Sequence, residues 1–119
     1  MKTAIVSAGL SILAEKFAEE LDADFVTAND LEINDGILTG RISVRVPVTE
    51  KARVVKDIAL KASIPIREVA LVGDSAYDLQ LDDCLKIAYR PKDQIAKAKA
   101  DVIIEDDDLS RVLPYLDAE

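Results

Sequence analysis

The sequence predicts an α/β fold built on a parallel sheet, and three observations predict it. Short apolar runs at Thr3–Val6, Val69–Val72, Lys86–Ala88 and Asp101–Ile104 recur along the 119 residues. Stretches with apolar residues at helical spacing lie between them, and parallel neighbours need such crossovers. The composition, 50% hydrophobic and 32% charged, is that of a globular chain at a common domain size. Residues 1–119 read as a single core domain.

Taken in order, Thr3–Val6 is a buried strand that runs into Ser7-Ala8-Gly9. Leu10, Ile12, Leu13, Phe17 and Leu21 mark an amphipathic helix over 10–22, and Asp24–Thr27 a second strand. Asn34-Asp35-Gly36 separates two alternating runs, a hairpin signal in which Gly36 supplies positive φ. Residues 28–47 form this β-hairpin insertion. Thr49 and Glu50 open a helix over 50–62 with Val54, Val55, Ile58 and Ala59 inward and Pro65 just past its end. After the strand at Val69–Val72, a short helix is expected over 76–81 and a strand at Lys86–Ala88. A helix over 92–98, the strand at Asp101–Ile104 and a helix over 108–116 complete the chain.

Composition excludes much chemistry. With no histidine and one cysteine, Cys84, there is no His-based triad, no zinc site of His or Cys ligands and no intrachain disulfide. The net charge of −8 argues against a general nucleic-acid or anionic-membrane surface. The opening apolar stretch is too short to span a bilayer and lacks a signal-peptide pattern, so a cytoplasmic location is expected. Catalysis here would rest on carboxylates, hydroxyls and amines with a hard metal ion.

Ligands of open parallel sheets gather outside the carboxyl ends of the strands. Ser7, Lys51, Asp74 and Asp78 fall at such ends or at helix starts. Ser7 with the Ala8 and Gly9 amides suits a phosphoryl group, Lys51 would neutralise its charge, and Asp74 offers an oxygen to Mg²⁺. Local alternatives stand beside each role: Ser7 as a helix N-cap, Lys51 as a solvated first-turn residue, Asp74 as a turn opener and Asp78 as a cap. Tyr77, Tyr89 and Tyr115 read as packing residues. The run Glu105-Asp106-Asp107-Asp108 reads as an acidic helix start with Asp108 as the cap.

The set "IVSAG", then Lys51, then "GDSAYD" resembles the haloacid-dehalogenase-like phosphatases, and within them the phosphoserine phosphatases. "ANDLEINDGILTGRI" is similar to that group's hairpin and "KAKADVIIEDDDLSRVL" to its carboxyl end. The resemblance implies a Rossmann-like parallel sheet and a Mg²⁺-dependent phosphomonoesterase acting on a small phosphorylated metabolite. It implies that Ser7, Ala8 and Gly9 bind the phosphoryl group and that Lys51 stabilises phosphoryl and aspartyl charge. Asp74 would be a metal ligand, and Asp78 a second acid supporting the metal shell or the lysine.

Three departures stand out. Ala8 replaces a glycine, and Tyr77 an asparagine. The third concerns the nucleophile. The family carries DxD after a first strand, its first aspartate the nucleophile and its second the general acid and base, with a helical cap beyond. Asp22-Ala23-Asp24 matches the bare pattern but ends a helix, and Asp106 and Asp108 trail the wrong strand. Without that nucleophile no aspartyl-phosphate forms, and a reaction that enzymes accelerate by up to ~10²¹ loses its main device. The chain is therefore expected to be inactive alone, its sheet lacking the central first strand. The gap would be filled by a second copy or by a complementing amino-terminal segment. Two other classes compete: a non-catalytic phosphate- or protein-binding module, and a two-component receiver. The receiver fares poorly, because Ser7-Ala8 stands where it needs an acidic pair.

Overall fold

A computed structural model describes residues 1–116. Six strands and four helices follow in order: β1 Ala4–Leu10, α1 Ser11–Glu20, β2 Phe25–Asn34, β3 Ile37–Ser43, α2 Lys51–Lys61, β4 Ala70–Gly73, β5 Leu85–Tyr89, α3 Gln94–Lys99, β6 Val102–Ile104 and α4 Leu113–Leu116. They build two compact units, Met1–Val55 and Lys56–Glu119, with the division inside α2. Each unit carries a three-stranded sheet, ordered β1-β2-β3 and β4-β5-β6. The α/β class holds, with sheets of three strands each.

In the first unit β1 pairs parallel to β2, and β2 pairs antiparallel to β3. The hairpin turn falls at Asp35-Gly36, with φ of 52° and 77°. Two positive φ values in a two-residue turn match the right-handed twist of the flanking strands, as the sequence predicts. The first strand runs longer than expected, and α1 is shorter. The apolar stripe that marks α1 in the sequence is not the face it buries. Ala14 and Ala18 are the buried residues, whereas Ile12, Leu13, Phe17 and Leu21 are exposed. The small alanine face lets α1 lie close on the sheet, which turns the large side chains away from it. The helix ends at Asp22 in a left-handed conformation, φ 54°, with the Ala23 N–H donating to the Ala18 carbonyl at 2.9 Å.

Helix α2 keeps its expected face, with Val54 and Ala59 buried. It closes through Ser63, φ 58°, and an Ile64 N–H to Ala59 carbonyl bond of 2.9 Å. Pro65 then bars continuation.

In the second unit β4, β5 and β6 are all parallel, in the register Ala70↔Leu85 to Gly73↔Ala88 and Ile87↔Val102 to Tyr89↔Ile104. Both faces of β5 are covered, and its centre, Ile87 and Ala88, is fully buried. Leu79, Ala88 and Ala96 pack on one face, with Leu71 against them. Ile87, Ile104 and Val112 pack on the other, with Tyr89 against them. The helix expected over 76–81 is a single 3₁₀ turn, Ala76–Leu79, and that over 108–116 is a 3₁₀ turn, Leu109–Val112, running into α4. Asp108 opens the latter as expected, accepting from the Ser110 N–H at 2.9 Å and the Ser110 hydroxyl at 2.6 Å. Those two bonds hold its carboxyl below the usual carboxylate range.

Candidate functional site

Ser7, Ala8 and Gly9 lie in a β-bulge, because the ladder of β1 and β2 jumps from Val6↔Thr27 to Leu10↔Asn29. Three residues of one strand therefore stand opposite Ala28 alone. Bulges re-aim side chains and free backbone groups from the ladder. The Ser7 hydroxyl accepts from the Gly9 N–H at 3.0 Å. A Cβ on Gly9 would lie 3.1 Å from that oxygen, so the close turn favours glycine. The N-cap reading of Ser7 is thereby corrected: α1 is preceded by Leu10, which makes no side-chain cap bond. A small groove of about 180 Å³ runs beside the bulge, lined by Ser7, Gly9, Leu13 and Phe17 among others.

Asn29 holds this bulge from behind. It is 5% exposed, the one buried polar or charged residue among those described. Its Nδ2 donates to the Ala8 carbonyl at 2.9 Å and to the Val46 carbonyl at 3.2 Å. Its Oδ1 accepts from the Arg45 and Val46 N–H groups, both at 2.8 Å. Every hydrogen-bonding position of the amide is engaged, so burial carries no unsatisfied polar penalty. Lys51 is the first residue of α2, half-buried, after a 3₁₀ turn over Val48–Glu50.

In the second unit the carboxyl ends of β4 and β5 open on a cavity of about 530 Å³. Val72, Tyr89 and Leu109 line its body, with Asp74, Arg90 and Lys92 among its polar residues. Asp74 and Asp78 meet in one loop. Asp78 Oδ2 accepts from the Asp74 N–H at 3.1 Å, the Ser75 N–H at 3.2 Å and the Ser75 hydroxyl at 3.2 Å. Gly73 makes this possible. A Cβ there would strike the Asp78 Cβ and stand 2.6 Å from Oδ2 and 2.7 Å from Cγ. Asp74 turns its own carboxylate outward, where Lys92 Nζ lies 3.2 Å from Oδ2.

The segment after β5 wraps this loop. The Lys92 N–H donates to the Asp74 carbonyl at 2.7 Å. Asp93 caps α3 by accepting from the Ala96 N–H at 2.6 Å, and its other oxygen accepts from the Ala76 N–H at 3.2 Å. Arg90 sits at φ 46° and pairs with Asp107 at 2.8 Å.

The predicted residues thus form two groups: Ser7, Ala8, Gly9 and Lys51 in the first unit, Asp74 and Asp78 in the second. Sequence reasoning missed Asn29, Arg90, Lys92 and Asp93. An asparagine inside the apolar strand "FVTANDL" was a legible signal, as were two cations closing a buried strand in "AYRPK". The aspartate triplets have local work. Asp22 ends α1, and Asp24 Oδ2 accepts from the Thr3 N–H at 2.9 Å. Asp106 accepts from the Asp108 N–H at 3.0 Å.

The donor set around Asp74 suits a hard cation held by one or two carboxylates and water, the usual habit of Mg²⁺. The carboxylate already attracts an ammonium. Among the described residues no three His, Cys, Asp or Glu gather as a metal cage. No described helix is long and apolar enough to cross a membrane.

Comparison with known proteins bears on both groups. The family described as haloacid dehalogenase-like hydrolase matches residues 1–81. A phosphoserine phosphatase of Archaeoglobus fulgidus is 41% identical over 111 residues, which are 91% of this chain and 32% of that protein. One from Methanocaldococcus jannaschii is 37% identical over 116 residues, 95% of this chain and 54% of that protein. A solved substrate-bound phosphoserine phosphatase complex superposes with a TM-score of 0.85 at 36% identity, over 97% of this chain and 56% of that one. The chain spans between a third and about half of these relatives' length.

Proposed function

The chain belongs to the haloacid dehalogenase-like hydrolase family, and from that premise we propose that it is the carboxyl-terminal part of a Mg²⁺-dependent phosphomonoesterase of the phosphoserine phosphatase type. The observation that carries the reading is the Gly73-Asp74-Ser75 loop at the mouth of a parallel strand. Its amides are fixed by Asp78 while Asp74 faces outward to a cation. Asp74 would hold the metal, with Asp78 keeping the loop in shape beneath it. Ser7 and the bulge amides of Ala8 and Gly9 would receive the phosphoryl oxygens, and Lys51 would balance their charge. Bound Mg²⁺ would supply charge neutralisation at the phosphoryl group.

The 119 residues place no Asp-x-Asp triplet after β1, β4 or β5, and the aspartates of the matching triplets are engaged in helix ends and strand starts. The proposal therefore includes inactivity of this chain alone and activity with a complementing amino-terminal segment. The test assays phosphoserine and an aryl phosphate with Mg²⁺, first with this chain alone and then with an added segment carrying the relatives' amino-terminal portion. Turnover only in the mixture, abolished by Asp74→Asn, is the expected result. Turnover by the lone chain, lost in Asp74→Asn, refutes inactivity, and no turnover in either case refutes the enzyme reading.

One observation favours a second reading, a non-catalytic module that self-associates. Ile12, Leu13, Phe17 and Leu21 on α1 are exposed, as are Ile33, Ile37, Leu38 and Ile42 on the hairpin. Large apolar surface of this kind marks association sites. Sedimentation of the chain at micromolar concentration decides it, a monomer counting against this reading.

A further inference from the structure

Lys92 is anchored to Asp74 twice, and only one anchor is firm. Its N–H donates to the Asp74 carbonyl at 2.7 Å, which fixes the backbone beside the loop. Its ammonium lies 3.2 Å from Asp74 Oδ2, yet the Lys92 side chain is 74% exposed and that of Asp74 43%. An exposed ion pair gains little net free energy, because water screens it and a long side chain loses freedom. The main chain therefore holds the ammonium close to Asp74 while the side chain stays able to leave.

A divalent cation on Asp74 would meet the ammonium at the same oxygen. Like charges within a few ångströms repel, so one must move. The lysine has a place to go, since it lines the 530 Å³ cavity together with Arg90, above an apolar body of Val72, Tyr89 and Leu109. A cavity of this size suits a small metabolite.

The geometry points to Lys92 as an exchangeable counter-ion of Asp74. It competes with a divalent cation for the carboxylate and, once displaced, offers its charge to a phosphate group in the cavity. This inference rests on the reading of Asp74 as a metal ligand. It makes cation and anion binding cooperative, and linkage requires the coupling to be reciprocal. Lys92 acts here as a positioning and tuning residue through Asp74.

The test titrates the whole 119-residue chain with Mn²⁺, with and without inorganic phosphate, by calorimetry, and follows the Lys92 side chain by NMR with Mg²⁺, which leaves nearby signals sharp. Asp74→Asn, Lys92→Gln and Lys92→Arg are compared with the parent. In Lys92→Gln, Mn²⁺ alone should bind about 1.5–5-fold tighter, the range that an exposed competing charge allows. The factor by which phosphate tightens Mn²⁺ should shrink by a similar amount, and Lys92→Arg should behave as the parent. The Lys92 signals should shift when diamagnetic Mg²⁺ is added to the parent and not in Asp74→Asn. Mn²⁺ binding indifferent to Asp74→Asn, or undetectable in both parent and Lys92→Gln, overturns the metal reading itself. Binding lost in Asp74→Asn but unchanged or weakened in Lys92→Gln, or a phosphate effect of equal size in both, overturns the counter-ion role alone.

Discussion

Replacing Gly73 with alanine tests the part of the site that the structure defines most sharply. The backbone there is not left-handed, so the substitution carries no conformational penalty of its own. Its cost is steric. The new methyl would strike the Asp78 Cβ and lie 2.6 Å from Oδ2, contacts that a relaxed structure does not tolerate. Asp78 must swing away, and three hydrogen bonds to one carboxylate oxygen go with it. Bonds to a charged acceptor contribute about 1.5–3 kcal/mol each. These three share an oxygen in a half-buried loop that water can reach, so their loss is not additive, and we expect about 2–4 kcal/mol in all.

Against a typical stability of about 5–15 kcal/mol that is a large fraction. Urea unfolding followed by far-ultraviolet circular dichroism and tyrosine emission measures it, since the chain has three tyrosines and no tryptophan. The cycle of Gly73→Ala with Asp78→Ala separates the carboxylate from the clash with Cβ, which alanine retains. The double variant should cost about 1–2 kcal/mol less than the sum of the singles. A Gly73→Ala chain within about 0.5 kcal/mol of the parent, the range of an ordinary surface change, would refute the claim that the glycine exists to admit Asp78.

Asn29→Ala should cost about 2–4 kcal/mol in the same assay, because it strands the buried Val46 N–H, the half-buried Arg45 N–H and two carbonyls. Ser63→Gly should gain about 0.5–1 kcal/mol by relieving a left-handed non-glycine position at the end of α2. Burial pushes the Cys84 thiol above its usual range, so the fold favours the protonated form. Its contribution is complete below the unfolded thiol pKa of about 8.5 and is lost as pH rises through the higher folded value. A decline of stability in that alkaline window should be smaller in Cys84→Ala, and alkylation of the parent should be slow until urea is added. Asp93→Asn should keep the α3 cap through its remaining oxygen and lose the bond from the Ala76 N–H. It should destabilise by less than Asp93→Ala, by about 1 kcal/mol.

Much of this fold was legible because its signals are local. The Asp35-Gly36 turn, the apolar face of α2 and the cap at Asp108 each follow from a few adjacent residues. The bulge at Ser7–Gly9 is not local: it is a mismatch of register between two strands, and a single strand cannot announce it. The outward stripe of α1 escaped for a related reason. Periodicity says that one face of the helix is apolar, but a close approach through Ala14 and Ala18 decides which face meets the sheet. Asp74 was legible from its place after an apolar run. Lys92 was not, because eighteen residues separate it from its partner and only the pairing of β4 with β5 brings them together.

What distinguishes Asp74 from Asp24, Asp78, Asp93, Asp101 and Asp108 is the use of its oxygens; it shares with Asp30 and Asp107 a carboxylate that faces a side-chain cation. Asp24 and Asp101 each accept the N–H that starts a neighbouring strand segment, Thr3 at 2.9 Å and Lys86 at 2.8 Å. Asp93 and Asp108 cap helical turns, and Asp78 binds its own loop. A carboxylate engaged by fixed backbone donors is held in one orientation and has little left to give a ligand. Asp74 is held the other way round: its N–H is tied to Asp78 and its carbonyl to Lys92, while its carboxylate faces a side-chain cation. The backbone is fixed so that the side chain can exchange partners, the arrangement a binding carboxylate requires. Residue type alone, among 23 acidic side chains, could not make that distinction; the direction of the hydrogen bonds does.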